Sequence, residues 1–160
     1  MRIIFLDIDG VLIPYGSGYV KTFKPSCLAV LQEIVAETGA YFVISSSWRL
    51  GEMERLMGLL DEAGLKDRVI GATTCAVIRG PKTFRIAGEE KQVLFSDSVS
   101  RCRPEEIKLW LSEHPEIDEK NCIAIDDEKD AYHRIIAPQS SVGLEPKHVR
   151  SALYLFDIYK

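Results

Sequence analysis

Arg2-Ile3-Ile4-Phe5-Leu6-Asp7-Ile8-Asp9-Gly10-Val11 is an apolar run that delivers two aspartates into a glycine. A continuous apolar run of this length reads as a strand buried on both faces. Such strands belong to open α/β sheets, whose ligands sit at the carboxyl edge of the strands. Asp7 and Asp9 are therefore expected to emerge together at a cleft. Two carboxylates so close repel each other unless a cation lies between them. The pair is thus a candidate metal site and a candidate nucleophile site at once. Taken alone, D-x-D-G is equally a strand followed by an acidic turn, and the rest of the chain decides.

Two more apolar runs end in polar clusters. Tyr41-Phe42-Val43-Ile44 leads into Ser45-Ser46-Ser47, and Cys122-Ile123-Ala124-Ile125 leads into Asp126-Asp127. A shorter run at Val69-Ile70 suggests one further strand. Helical spacing fills the intervals. Leu28, Leu31, Ile34 and Val35 mark a helix that starts near Pro25 and stops at Gly39. Met53, Leu56, Leu59 and Leu60 mark a second, over residues 51–63, with Gly64 closing it. Ile107, Trp110 and Leu111 mark a third that begins at Pro104, and residues 147–156 form a fourth. Alternation around Gly16-Ser17-Gly18 predicts a short hairpin or flap over residues 11–24, with Tyr15 and Tyr19 packed in it. Residues 71–100 read as an irregular insertion or a minimal cap, with room for a small hairpin.

Strand–helix alternation with buried strands implies one α/β domain over residues 1–160. Its expected form is three-layered and doubly wound, Rossmann-like, around a mostly parallel sheet. Right-handed crossovers put every strand's carboxyl end on one edge. Asp7 and Asp9, Ser45 to Ser47, and Asp126 and Asp127 each follow a strand, so three separated clusters converge there.

Composition narrows the partners. The chain is 46% hydrophobic and 28% charged, an ordinary globular balance. Lys and Arg total 20 against 24 Asp and Glu, a net charge of −4. No basic stripe advertises non-specific attraction to a nucleic-acid backbone. Cys27, Cys75, Cys102 and Cys122 lack C-x-x-C spacing, so structural zinc is not expected. No apolar run reaches membrane-span length, and no signal peptide is visible. These features lead to an expectation of a cytoplasmic protein with no membrane partner, and they leave the oligomeric state open.

The three strand ends also resemble the haloacid dehalogenase (HAD) superfamily of aspartyl-phosphate hydrolases along nearly the whole chain. Asp7-Ile8-Asp9-Gly10-Val11 resembles its first motif, Ile44-Ser45-Ser46-Ser47 its second, and Ile123-Ala124-Ile125-Asp126-Asp127 its fourth. Ser45-Ser46-Ser47-Trp48-Arg49 and Glu106-Ile107, followed by Trp110-Leu111, are similar to capless members in bacterial RNA-repair proteins. The resemblance implies a Mg²⁺-dependent phosphatase. Asp7 would be the nucleophile and Asp9 the general acid and base. Mg²⁺ would be held by Asp7, the backbone carbonyl of Asp9, and Asp126, with Asp127 a rival ligand. Asp127 and Asp130 would support the ligands or simply cap a helix start. Ser46, with Ser45 the alternative, would bind a phosphate oxygen, and Ser47, Gly10 and Arg49 would contribute to substrate binding. Arg103, with Lys108 as rival, would be the cation of the third motif.

Too little chain lies between Gly10 and Pro25 for a folded cap, and residues 71–100 are short for one. An open site suits a phosphate on a large molecule. A polynucleotide end is one such substrate, although the net charge does not favour it. A non-catalytic phosphate-binding or regulatory domain and a phosphotransferase are the alternative readings.

Overall fold

The structure, a computed structural model, describes residues 1–74, 82–86, 89–93 and 103–158. The apolar run forms β1 (Ile3–Leu6), all four residues buried. Beside it lie β2 (Tyr41–Ile44) and β6 (Cys122–Ile125), and outside these β3 (Val69–Ala72) and β7 (Ile135–Ile136). The order is β3-β2-β1-β6-β7, and every neighbouring pair is parallel. This is the expected doubly wound architecture. Leu6 lies opposite Ile44 on one side and Ile125 on the other, so the three central strands end level.

Side chains alternate across β1 and divide the core. Ile4 and Leu6 join the cluster built by α1 (Pro25–Thr38), α2 (Met53–Glu62) and α4 (Lys147–Leu155). Ile3 and Phe5 face α3 (Arg103–Glu113), where Phe5 meets the Trp110 ring edge-on at 5.4 Å. Among the described residues, helices thus cover both faces, three on one and one on the other. Cys27 and Cys122 are buried free thiols within these clusters. Cys75 and Cys102 lie outside the described residues.

Several boundaries differ from the sequence expectations. Residues 11–24 form no hairpin: their one bridge joins Asp9 to Ile13, and positive φ at Gly16, Gly18 and Lys21 breaks the extended alternation. Val11, Leu12 and Ile13 are instead buried in the core, while Tyr15 and Tyr19 are exposed. The second helix begins at Met53 rather than Gly51, because Ser47–Leu50 forms a separate 3₁₀ turn. The third begins one residue early, at Arg103, which places Pro104 inside its first turn. The two-residue β7 was not foreseen; so short a run has no readable period. Within residues 71–100 there is an antiparallel hairpin, β4 (Lys82–Ile86) with β5 (Glu89–Val93). The other residues assigned to the insertion lie outside the described residues, apart from 71–74. Among the described residues no helix is long and apolar enough to cross a membrane.

Candidate active site

Level strand ends place three residues at one height. The ladder continues by one bond past each strand, Asp7 N–H to the Ile125 carbonyl (2.9 Å) and Ser45 N–H to the Leu6 carbonyl (2.9 Å). These bonds fix the backbones of Asp7 and Ser45 before any side chain acts. From the opposite layer, Arg103 reaches all three strand ends. Its guanidinium lies 3.2 Å from Asp7 Oδ1, 3.6 Å from Asp126 Oδ2 and 3.4 Å from Ser45 Oγ. All four side chains are buried. A planar fork of five donors suits such a three-way contact, with separate nitrogens facing separate acceptors.

Asp7, Asp126 and Asp127 bring carboxylate oxygens within 4.8 Å of one another. Burial pushes the Asp7 carboxyl up to about 6, against the Arg103 charge and hydrogen bonds from Ile8 N–H and the Ser46 hydroxyl. Burial, then the Asp7 charge, pushes Asp126 up to about 8. Asp127 is raised as well, chiefly by burial. Among the described residues Arg103 alone meets these carboxylates, and it does not offset the negative charge packed here. Three converging oxygen donors with suppressed ionisation fit a hard divalent cation, which would favour the charged form of each. Gly10 makes the cluster sterically possible. Its φ is +77°, and a Cβ there would fall 2.3 Å from Asp127 Oδ2.

The Asp9 side chain turns away from this trio. Its Oδ2 accepts a 3.0 Å hydrogen bond from the Trp48 indole N–H. Beyond it opens a cleft of about 390 Å³ lined by Asp9, Trp48, Tyr15, Tyr19, Lys21 and Glu52, among others. Lys21 Nζ and Glu52 Oε1 join at 2.8 Å, tying the loop after β1 to the residue before α2. The site is therefore a buried anionic centre with an aromatic cleft at its side.

The family model of the HAD domain in Swiss Army Knife RNA repair proteins matches residues 3–149. The chain belongs to this family. No curated protein and no solved structure is similar enough to match. Membership in the HAD family supports a HAD-type phosphatase or related activity, and the acidic cluster is compatible with it.

In this HAD domain the expected site residues do not all converge. Ser46 is fully buried and hydrogen-bonds Asp7, while Ser45 meets Arg103. Ser47 is exposed at the start of the 3₁₀ turn. Lys108 is exposed on α3, so of these two it is Arg103 that reaches the centre. Asp130 is exposed in a turn; no helix starts there for it to cap, and it is not in the trio. Arg49 engages Glu106 Oε2 at 2.7 Å and the Ser46 carbonyl at 2.6 Å, which braces the loop. The two segments that carry the narrower resemblance, around Arg49 and Glu106, thus meet in space. Sequence reasoning missed the Trp48–Asp9 bond. A tryptophan directly after a polar strand end was the available signal, since a buried indole N–H usually finds an acceptor.

Proposed function

We propose that this HAD domain is a Mg²⁺-dependent phosphatase that hydrolyses a phosphate monoester through a covalent aspartyl-phosphate on Asp7. One observation carries the reading: the Asp7 carboxylate sits buried at a strand end, against Arg103 and Ser46, beside the carboxylates of Asp126 and Asp127. Asp7, Asp126 and Asp127 would hold the ion, the Asp9 carbonyl completing the set. When bound, Mg²⁺ neutralises charge on the phosphate oxygens and on the carboxylates that surround them.

The chain's own residues do the rest. Asp7 attacks phosphorus, and the bond to the leaving oxygen breaks with its electron pair. Asp9 gives that oxygen a proton. Water then attacks the phosphorus of the aspartyl-phosphate and loses a proton to Asp9, and Asp7 is regenerated. General acid help is worth about 10²–10⁴, roughly 3–5 kcal/mol. Much more must come from charge neutralisation and positioning. Arg103 and the Ser45 and Ser46 hydroxyls supply fixed donors for this.

The substrate in this reading is a phosphate at a polynucleotide end. The family takes its name from RNA repair proteins. The cleft beside Asp9 offers the exposed rings of Tyr15 and Tyr19, on which bases can stack. The test is phosphate release from RNA oligonucleotides phosphorylated at either end, from nucleotides and from p-nitrophenyl phosphate. Activity should require Mg²⁺, stop in chelator and vanish in Asp7→Asn. Phosphate binding without turnover would support the non-catalytic alternative. Transfer to added alcohols in preference to water would support the phosphotransferase.

A further inference from the structure

We propose that Trp48 is a positioning residue that divides the work between the two oxygens of Asp9; this rests on the phosphatase reading above. The indole N–H only donates, so it demands a lone pair from Asp9 Oδ2, 3.0 Å away. An oxygen occupied in this way is the poorer place for a proton. In the protonated acid the proton therefore sits on Oδ1, and Oδ2 keeps its carbonyl character. During phosphoryl transfer the new bond joins Asp7 to phosphorus, and the bond from phosphorus to the leaving oxygen breaks. That oxygen takes the proton from Oδ1. In hydrolysis the attacking water returns a proton to Oδ1, as the bond between phosphorus and Asp7 breaks. Oδ2 accepts from Trp48 throughout, so the carboxylate need not turn between the two steps.

The indole is held firmly enough for this role. Trp48 is only 6% exposed and belongs to the larger core cluster. Its backbone N–H points to Ser46 Oγ, and its carbonyl accepts from Glu52 N–H at 2.8 Å. The Arg49–Glu106 pair ties the next residue to α3. The ring also lines the cleft where a leaving group would stand. A proton donor fixed by the wall of that cleft can serve a leaving oxygen that stands there, outside the acidic trio.

The experiment compares Trp48→Phe with the wild type on two esters, p-nitrophenyl phosphate and a primary alkyl phosphate. The first leaves without help and the second needs an acid. On kcat/KM, which reports the step up to phosphorylation of Asp7, the variant should lose about 10–100-fold on the alkyl ester, a large part of the acid's usual worth. Its loss on the nitrophenyl ester should be severalfold smaller. Equal losses on both esters would overturn the proposal, because a merely structural defect does not sense the leaving group. Trp110→Phe, a comparable loss in the other core cluster, should leave the ratio of the two esters unchanged. A second measurement does not depend on turnover. The chain has two tryptophans, so the indole N–H signals in a ¹⁵N-labelled sample can be assigned with Trp110→Phe. Asp9→Ala should move the Trp48 signal and spare that of Trp110. An unmoved Trp48 signal would overturn the hydrogen bond itself. A wild type inert on these esters and on phosphorylated RNA ends alike would count against the phosphatase reading, and the indole signal would still decide the contact.

Discussion

Gly10 turns at a φ of +77°, with Asp127 Oδ2 occupying the space a Cβ would need. Backbone conformation and carboxylate placement thus fall on a single residue. Gly10→Ala should cost about 1–2 kcal/mol of stability for the left-handed backbone. The more telling effect is local, because the short Asp127 side chain can yield while the backbone beside it cannot. Divalent-ion affinity should therefore fall more steeply than stability. Calorimetric titration with Mg²⁺ alongside urea unfolding checks this; unchanged affinity would mean that Asp127 takes no part in holding the ion. Residue type was legible at Gly10 from the D-x-D-G pattern, but its neighbour was not, since Asp127 arrives from a strand far along the chain.

Among the elements, β1, β2 and β6 end level, and their ends carry Asp7, Ser45 and Asp126. Period and punctuation in the sequence predict these strands and their polar ends because buried parallel strands have little compositional freedom. The 3₁₀ turn after β2 was less visible. It is set by Ser46 capping Trp48 and by Arg49 reaching Glu106. That ion pair joins the loop of the second motif to α3, with both side chains under a tenth exposed. Removing one partner of such a pair typically costs about 3–5 kcal/mol. Glu106→Ala should show a loss of that order in equilibrium unfolding. A cost near that of a surface substitution would show the loop to be held by its other contacts.

Across the whole molecule, burial of the acidic centre links stability to pH and to cations. Asp7 and Asp126 are both raised in the folded state from an ordinary value of 3.8, Asp126 to about 8. The folded protein binds these protons more tightly than the unfolded chain. Their contribution is therefore fully present below the ordinary aspartate value and is lost as pH rises toward about 8. Without divalent ions, thermal stability from this source should decline over that window. Mg²⁺ should restore it, and more strongly at the alkaline end, because it binds the ionised carboxylates. Asp126→Asn should flatten both trends. Melting curves across the window, with and without Mg²⁺, would contradict this if the added stability were greatest in acid.

The amino-acid sequence by itself determined the three central strands, the alternation of strand and helix, and the polar residues that follow those three strands. Those features follow from local period, from glycine and proline punctuation and from the alternation of buried and exposed positions. Only the tertiary structure decided which side chains act together. It chose Arg103 over Lys108, separated Asp130 from the acidic trio, and set Trp48 against Asp9. The physical reason is that such contacts are made between elements. Their distances depend on strand register and on which face of the sheet each helix covers, and no local spacing records either.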